Sequence, residues 1–576
     1  MLAMPRKVII IFFILLTVAN PIGAQNRAQN EALFTLPFTE APGPESWLVG
    51  QFYGNTVDAF TYRRQWYGAG QGIHFGLDFF APCGTPIVAA ADGMVHAVDA
   101  PSFGAGPHNV VLTHPGIGFS TVYGHMNETS LLIEGQPINR GDLVGTVGDP
   151  DGVCTSRPHL HFEVRSLDFH TAYNPIDYID APWQTLASIG PLTNPQFQRD
   201  LANPTHWMSI HDQPTVSFGA PYLNNFPRSF PPEGSVTPPE GASLARAPLA
   251  PETSSTWQTV QISQDGCCPF AWWHPTDSNR YFVVKRDELR EEDVRGHVAF
   301  RNDLQYQRIS PDGTLRAFRG EGSVLVEEIF EENSRWFVDT GGVVPSISAD
   351  NSRLLWQVAD YLLVPGDDFP MVEIFTSNID GGGRQRIWRG TGAEAVWLDT
   401  TRVLITTSVL DSAQTTLTIF DTANGQGQGQ GQGQSYELGK WDWLRGLSIA
   451  PGGGRIMFYL VWQADPTRNG VYTITTEPGA VPEKLPWFGA WRWRDGNSVY
   501  YVPFYVGWYN ADKQVIASYD IFTGASRYLS DINTMPITIN SGDWSVSADG
   551  RRVMYRSAMD NNLWLLVNDA DELSAP

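Results

Sequence analysis

Four of the twelve histidines fall at spacings suited to metal or proton chemistry. His74-Phe-Gly-Leu-Asp78 sets an imidazole and a carboxylate four residues apart, and in an extended segment alternate side chains share a face, so the two can converge. Gly76 between them leaves backbone room. His159-Leu-His161 opens a β-rich run that continues Phe162-Glu163-Val164, and the i, i+2 spacing puts both imidazoles on one face of a strand, whereas a helix would separate them. Neutral imidazoles with a carboxylate suit zinc, which in hydrolytic sites takes three protein ligands and keeps one position for water. The helical His-Glu-x-x-His signature is absent, so a hydrolase built here needs its acid–base group from elsewhere. Histidines outside the ligand set can serve, and His125 in Tyr123-Gly-His-Met126 is one candidate. A lone histidine is more often a surface or hydrogen-bonded residue than a ligand, and His96, His108, His114, His170, His206, His211, His274 and His297 are read that way.

The segments that must position these groups are short and extended. Pro86–Ala90, Asn109–Leu112, Thr121–Tyr123 and Leu143–Val147 read as strands punctuated by Gly and Pro, so residues 47–180 form one β-rich domain. Residues 219–251 hold eight prolines, including Pro231-Pro232 and Pro238-Pro239, and 181–254 reads as an exposed Pro-rich linker. Beyond it, over 255–570, a strand, an Asp- or Gly-containing turn and an apolar strand recur. The clearest copies are Ile309–Phe318, Ile347–Trp356 and Val546–Tyr555, with weaker ones at Trp272–Phe282, Val396–Ile405, Leu447–Phe458 and Trp491–Tyr501. Their spacing is about that of four-stranded propeller blades, which predicts six or seven blades. The alternating Gly-Gln tract Gly425–Gln434 reads as a loop without chemistry. The fold class expected is all-β.

Composition narrows the function. Lys plus Arg number 38 against 61 Asp plus Glu, a formal charge of −23, which repels phosphate backbones and anionic headgroups and disfavours a nucleic-acid or polybasic membrane role. Arg6-Lys7, the apolar run Val8–Val18, Pro21 and Gly23-Ala24 have the three regions of a secretory signal over residues 1–24. The run is shorter than the roughly 20 residues that span a bilayer, so membrane attachment is expected only if the segment stays uncleaved, and the protein is expected outside the cytoplasm, secreted or in the cell envelope. There the four cysteines can oxidise, with Cys83–Cys154 the preferred pair and the adjacent Cys267-Cys268 read as structural, or as a strained vicinal disulfide, rather than catalytic.

The order His-x-Gly-x-Asp, Tyr-Gly-His, Pro-His-Leu-His-Phe-Glu, together with Gly84–Gly93 and Gly141-Asp-Leu-Val-Gly145, closely resembles the lysostaphin and LytM type of zinc metallopeptidase, from Gly72 to Asn174-Pro175. The resemblance implies an antiparallel β-sheet peptidase domain with Zn2+ held by His74, Asp78 and His161. His125 and His159 correspond to the non-ligand histidines that act on the water and the oxyanion. Such enzymes cut cross-links or stem peptides of peptidoglycan, so an exported endopeptidase is expected. The loop Gly148–Arg157 departs from the shorter Gly-Ser-Thr-rich turn of that pattern, which puts substrate preference in doubt; a Cys154 thiolate ligand is the less favoured reading. The Ser-Pro-Asp-Gly copies resemble the blades of TolB-like and WD40-like propellers, where a wall glycan or protein ligand could dock. Two alternatives stay open: a non-catalytic wall-binding or amidase-activating protein, and a propeller-based receptor.

Overall fold

The computed structural model describes residues 32–152, 154, 157–189, 209–224, 246, 257–264, 270–285, 288–295, 297–303, 307–320, 323–329, 334–360, 371–408, 413–423, 434–504 and 513–568. The signal-like segment 1–24, Cys267-Cys268, His206 and all but the last residue of the Gly-Gln tract lie outside them.

The first unit is built on β1 (Leu48–Gln51), β2 (Leu77–Phe80), β3 (Pro86–Val88), β4 (Gly93–Val98), β5 (His108–His114), β6 (Phe119–Met126), β7 (Pro137–Ile138), β8 (Leu143–Thr146), β9 (His159–Ser166), β10 (Thr171–Tyr173) and β11 (Val216–Ser217). The main sheet runs β1-β2-β9-β6-β5-β4-β7, with β10 on β9 and β11 on β10, while β3 and β8 pair separately. Its strand pairings among the described residues are antiparallel, as the short turns between strands allow. Strand β9 shows the period of two most clearly. Leu160, Phe162 and Val164 are fully buried on the core face, each worth about 1.5–3 kcal/mol of apolar burial, while His159, His161, Glu163 and Arg165 share the other face.

The second unit is a seven-bladed β-propeller. Its four-stranded sheets cover 270–303, 307–338, 346–391, 393–442, 444–484 and 489–528, and a seventh combines three strands of 539–568 with Trp257–Gln261. Strand Trp257–Gln261 pairs antiparallel with Leu563–Asn568 as the edge of this last blade, so both ends of the unit close the ring. Each of the seven sequence copies spans the hairpin between a blade's first and second strands. In the clearest copy Ser310 Oγ donates to Asp312 at 2.6 Å and accepts from the Leu315 amide at 2.9 Å, a side-chain turn that competes well with continued strand.

The stretch read as an exposed linker is not wholly one. Helix α2 (Trp183–Ser188) has all six residues buried, and β11 joins the first unit's sheet. Helix α2 packs on Ile539–Val546, the innermost strand of the last blade. There Gln184 Oε1 accepts from the Ser541 amide at 2.9 Å and its carbonyl accepts from Gln514 Nε2 at 3.0 Å. Gly542 sits at φ +73°, and a Cβ on it would meet the Ala187 carbonyl at 2.7 Å, so the close approach requires glycine. One continuous apolar core runs from Trp47 and Phe79 through Trp183 to Trp462, Trp487 and Tyr501.

Candidate metal centre

Strand register brings the sequence candidates together. Asp78 on β2 lies opposite His161 on β9, Phe80 lies opposite His159, and Gly124 on β6 flanks His161 from the other side. His74 precedes β2 and is pinned by a two-residue bridge to Gly54. A Cβ on Gly76 would stand 2.7 Å from His161 Cε1 and 2.7 Å from the Phe162 carbonyl, so the small residue lets the two segments touch.

His74, Asp78 and His161 are all buried and offer ligand atoms within 4.8 Å of one another. Asp78 Oδ1 is 3.2 Å from His74 Nε2 and 2.8 Å from His161 Nδ1, and those two nitrogens are 3.2 Å apart. Each ring is held from behind. His74 Nδ1 donates to the Phe52 carbonyl at 2.8 Å. His161 Nε2 lies 3.4 Å from Glu163, whose carboxylate takes Arg165 at 2.6 and 2.9 Å. Such partners fix ring orientation and leave the inner nitrogen for a metal. Two imidazole nitrogens and one carboxylate oxygen, converging from three directions, fit a zinc ion that keeps an open position.

The remaining two histidines stand beside this trio. Rings of His125 and His159 are 4.7 Å apart, His125 and His161 5.8 Å, and His159 Nε2 is 3.8 Å from Asp78. His159 Nδ1 donates to the Arg157 carbonyl at 2.6 Å and His125 Nδ1 donates to the Gly106 carbonyl. A carbonyl only accepts, so both rings carry the proton on Nδ1 and keep Nε2 as an acceptor. His125 occupies left-handed backbone, φ +55°, a conformation that non-glycine residues hold only where the surroundings impose it. Burial, then the neighbouring His159 and His161, hold the His125 pKa well below its ordinary value, and burial lowers that of His159. Both are neutral bases at neutral pH.

Several neighbours went unread in the sequence. Tyr67 sets its ring edge against His74 at 5.6 Å and donates to Gln51 at 3.0 Å. Glu163 and Arg165 share the face of His159 and His161, so the same period-of-two argument extends to them. Cys83 and Cys154 form a disulfide, which removes Cys154 as a thiolate ligand. Of the histidines read as bland, His114 is buried and bonded at both nitrogens, to the Asp92 carbonyl and Thr121.

An antiparallel sheet that gathers two histidines and an aspartate beside two neutral histidines defines a metallopeptidase-type centre. Residues 72–175 match the model of Peptidase family M23. Over 114 residues the chain is 35% identical to the cell division protein DipM of Caulobacter vibrioides, covering 19% of this chain and 17% of that one. Lysostaphin of Staphylococcus staphylolyticus is 28% identical over 131 residues, 22% of this chain and 26% of its own. The catalytic domain of lysostaphin from Staphylococcus simulans aligns over 23% of this chain and 91% of that structure, with 23% identity and a TM-score of 0.19. The chain thus spans only part of the length of the curated relatives it matches, 17% and 26% for these two.

Proposed function

We propose that the chain is an exported zinc metalloendopeptidase that hydrolyses peptide bonds in peptidoglycan cross-links or stem peptides, with the propeller as a recognition module. The observation that carries this reading is that all four histidines of the centre have one ring nitrogen tied to a protein acceptor and the other left for the metal or a proton. His74 Nε2, Asp78 Oδ1 and His161 Nδ1 would hold zinc, which when bound supplies Lewis acidity for activating water and polarising the scissile carbonyl. His125 and His159 manage the proton: a neutral Nε2 accepts it from the nucleophile and, as imidazolium, donates it to the oxyanion or the leaving amine. The matched family and the peptidases among the relatives support the reaction class, and the Cys83–Cys154 disulfide fits an oxidising compartment outside the cytoplasm.

The test is zinc content by elemental analysis paired with dye release from purified peptidoglycan. About one zinc per chain is expected, lost in His161→Ala, and retained in His125→Ala with activity down by about a hundredfold or more. Zinc without wall hydrolysis would shift the reading to an activator role, and absence of zinc would refute it.

A further inference from the structure

The rim of the centre carries a cation that the mechanism above does not use. Arg157 ends the loop that departs from the resembling pattern, two residues before His159, and its side chain is exposed. Its backbone is fixed on both sides: the amide donates to buried Asp149 at 2.7 Å and the carbonyl accepts from His159 at 2.6 Å. The Cys83–Cys154 disulfide ties down the same loop. The guanidinium lies over the Trp66 ring, 4.9 Å from its centroid, and Trp66 is stacked on Tyr62 at 3.9 Å while remaining 52% exposed. Among the described residues it has no hydrogen bond or ion pair. Asp58, at the start of α1 (Val57–Thr61), and Tyr67 and His159 all lie close enough to feel its charge.

An exposed guanidinium costs little to keep in water, but one seated over an aromatic ring has already lost much of its freedom. Its N–H edge remains available, and the shape it matches is a carboxylate taken bidentately. In a chain of net charge −23, a preordered cation beside the metal centre is where an anionic group of the substrate can be accepted.

We propose that Arg157, laid on the Trp66–Tyr62 pair, binds a free carboxylate carried by a residue flanking the scissile bond, so that the preferred substrate is an acidic peptide. The inference rests on the peptidase reading of the same centre and adds a specificity-determining residue to it. The carboxylate can be a chain terminus or a side chain, and the test separates the two.

Four synthetic peptides suffice: one pair differing as terminal carboxylate against carboxamide, one pair as Glu against Gln beside the scissile bond. The zinc-loaded full chain is expected to favour the carboxylate member of at least one pair by about tenfold or more in kcat/KM, the size of a charge-assisted hydrogen bond; the pair that responds identifies the source. Arg157→Gln should bring that ratio to within about twofold of one, Arg157→Lys should keep part of it as a point charge, and Trp66→Ala should reduce it. Binding gives a second readout. In the His125→Ala chain, calorimetry should return a similar preference in Kd, abolished when Arg157→Gln is added. A preference that survives Arg157→Gln, or cleavage of all four peptides without discrimination, overturns the inference and leaves the peptidase reading standing. No cleavage of any peptide by the zinc-loaded chain overturns both.

Discussion

His161 is under opposed electrostatic demands. Burial alone would lower its pKa, but hydrogen bonds to Asp78 and Glu163 outweigh burial and raise it to about 9. Burial likewise works against the Asp78 carboxylate, yet its electrostatic interactions with the His74 and His159 rings and the hydrogen bonds from His161 and His74 keep its pKa well below the usual range. Without metal, His161 is therefore protonated at neutral pH, and a metal must displace that proton. Zinc binding near pH 7.5 should release about one proton per zinc, read by calorimetry in two buffers of different ionisation enthalpy; no buffer dependence would contradict the assignment. The sign for stability follows. A raised histidine pKa stabilises fully below its unfolded value of 6.5 and loses that contribution as pH rises through about 9. Melting of the metal-free chain should fall across that window, while the zinc-loaded chain should not. The His159 and His161 spacing was legible in the sequence because strand geometry alone puts such residues on one face, whereas His74 precedes β2 and meets Asp78 from outside the strand. The roles of Arg157, Trp66 and Tyr67 were not, because they come from loops whose approach no local period encodes.

Among the elements, the pairing of β2 with β9 positions the centre, and Gly76 sets how closely they meet. Gly76→Ala would push a methyl into His161 and the Phe162 carbonyl, so zinc affinity should fall by about tenfold or more, the scale reported for disturbed ligand support, with the far-ultraviolet circular dichroism of the sheet retained. An unchanged affinity would show that β9 yields. The disulfide acts on the loop before His159 and not on any ligand. Cys83→Ser with Cys154→Ser should cost about 2–4 kcal/mol of stability, measured by denaturant unfolding, with zinc content unaltered. The three clearest blade hairpins were readable because Ser-x-Asp turns write the same bond pattern into them, from Ser310 to Asp312, Ser348 to Asp350 and Ser547 to Asp549. Helix α2 and β11 were not, since Pro-rich surroundings mask them and their burial comes from distant partners.

At the scale of the whole molecule, the two units share a core. Trp462, in left-handed backbone at φ +53°, packs its ring edge-on to Phe80 at 6.2 Å, and Phe80 in turn lies 5.8 Å from His159. Calorimetry should therefore show one unfolding transition, because the core cluster of the first unit continues into the propeller. Trp462→Ala, which opens a cavity at the junction, should cost about 3 kcal/mol and split that transition in two; two transitions in the unaltered chain would refute the shared core. The closure of the ring has a consequence in time. The last blade joins segments 300 residues apart in the chain, and it is against the innermost strand of that blade that α2 seats. A chain emerging from a ribosome finishes the sheet that carries the candidate metal centre long before the ring can shut, so the firm seating of the first unit waits on the final strands. Completion of synthesis thereby becomes a checkpoint: a nascent or prematurely stopped polypeptide would carry its candidate metal centre on an unanchored sheet.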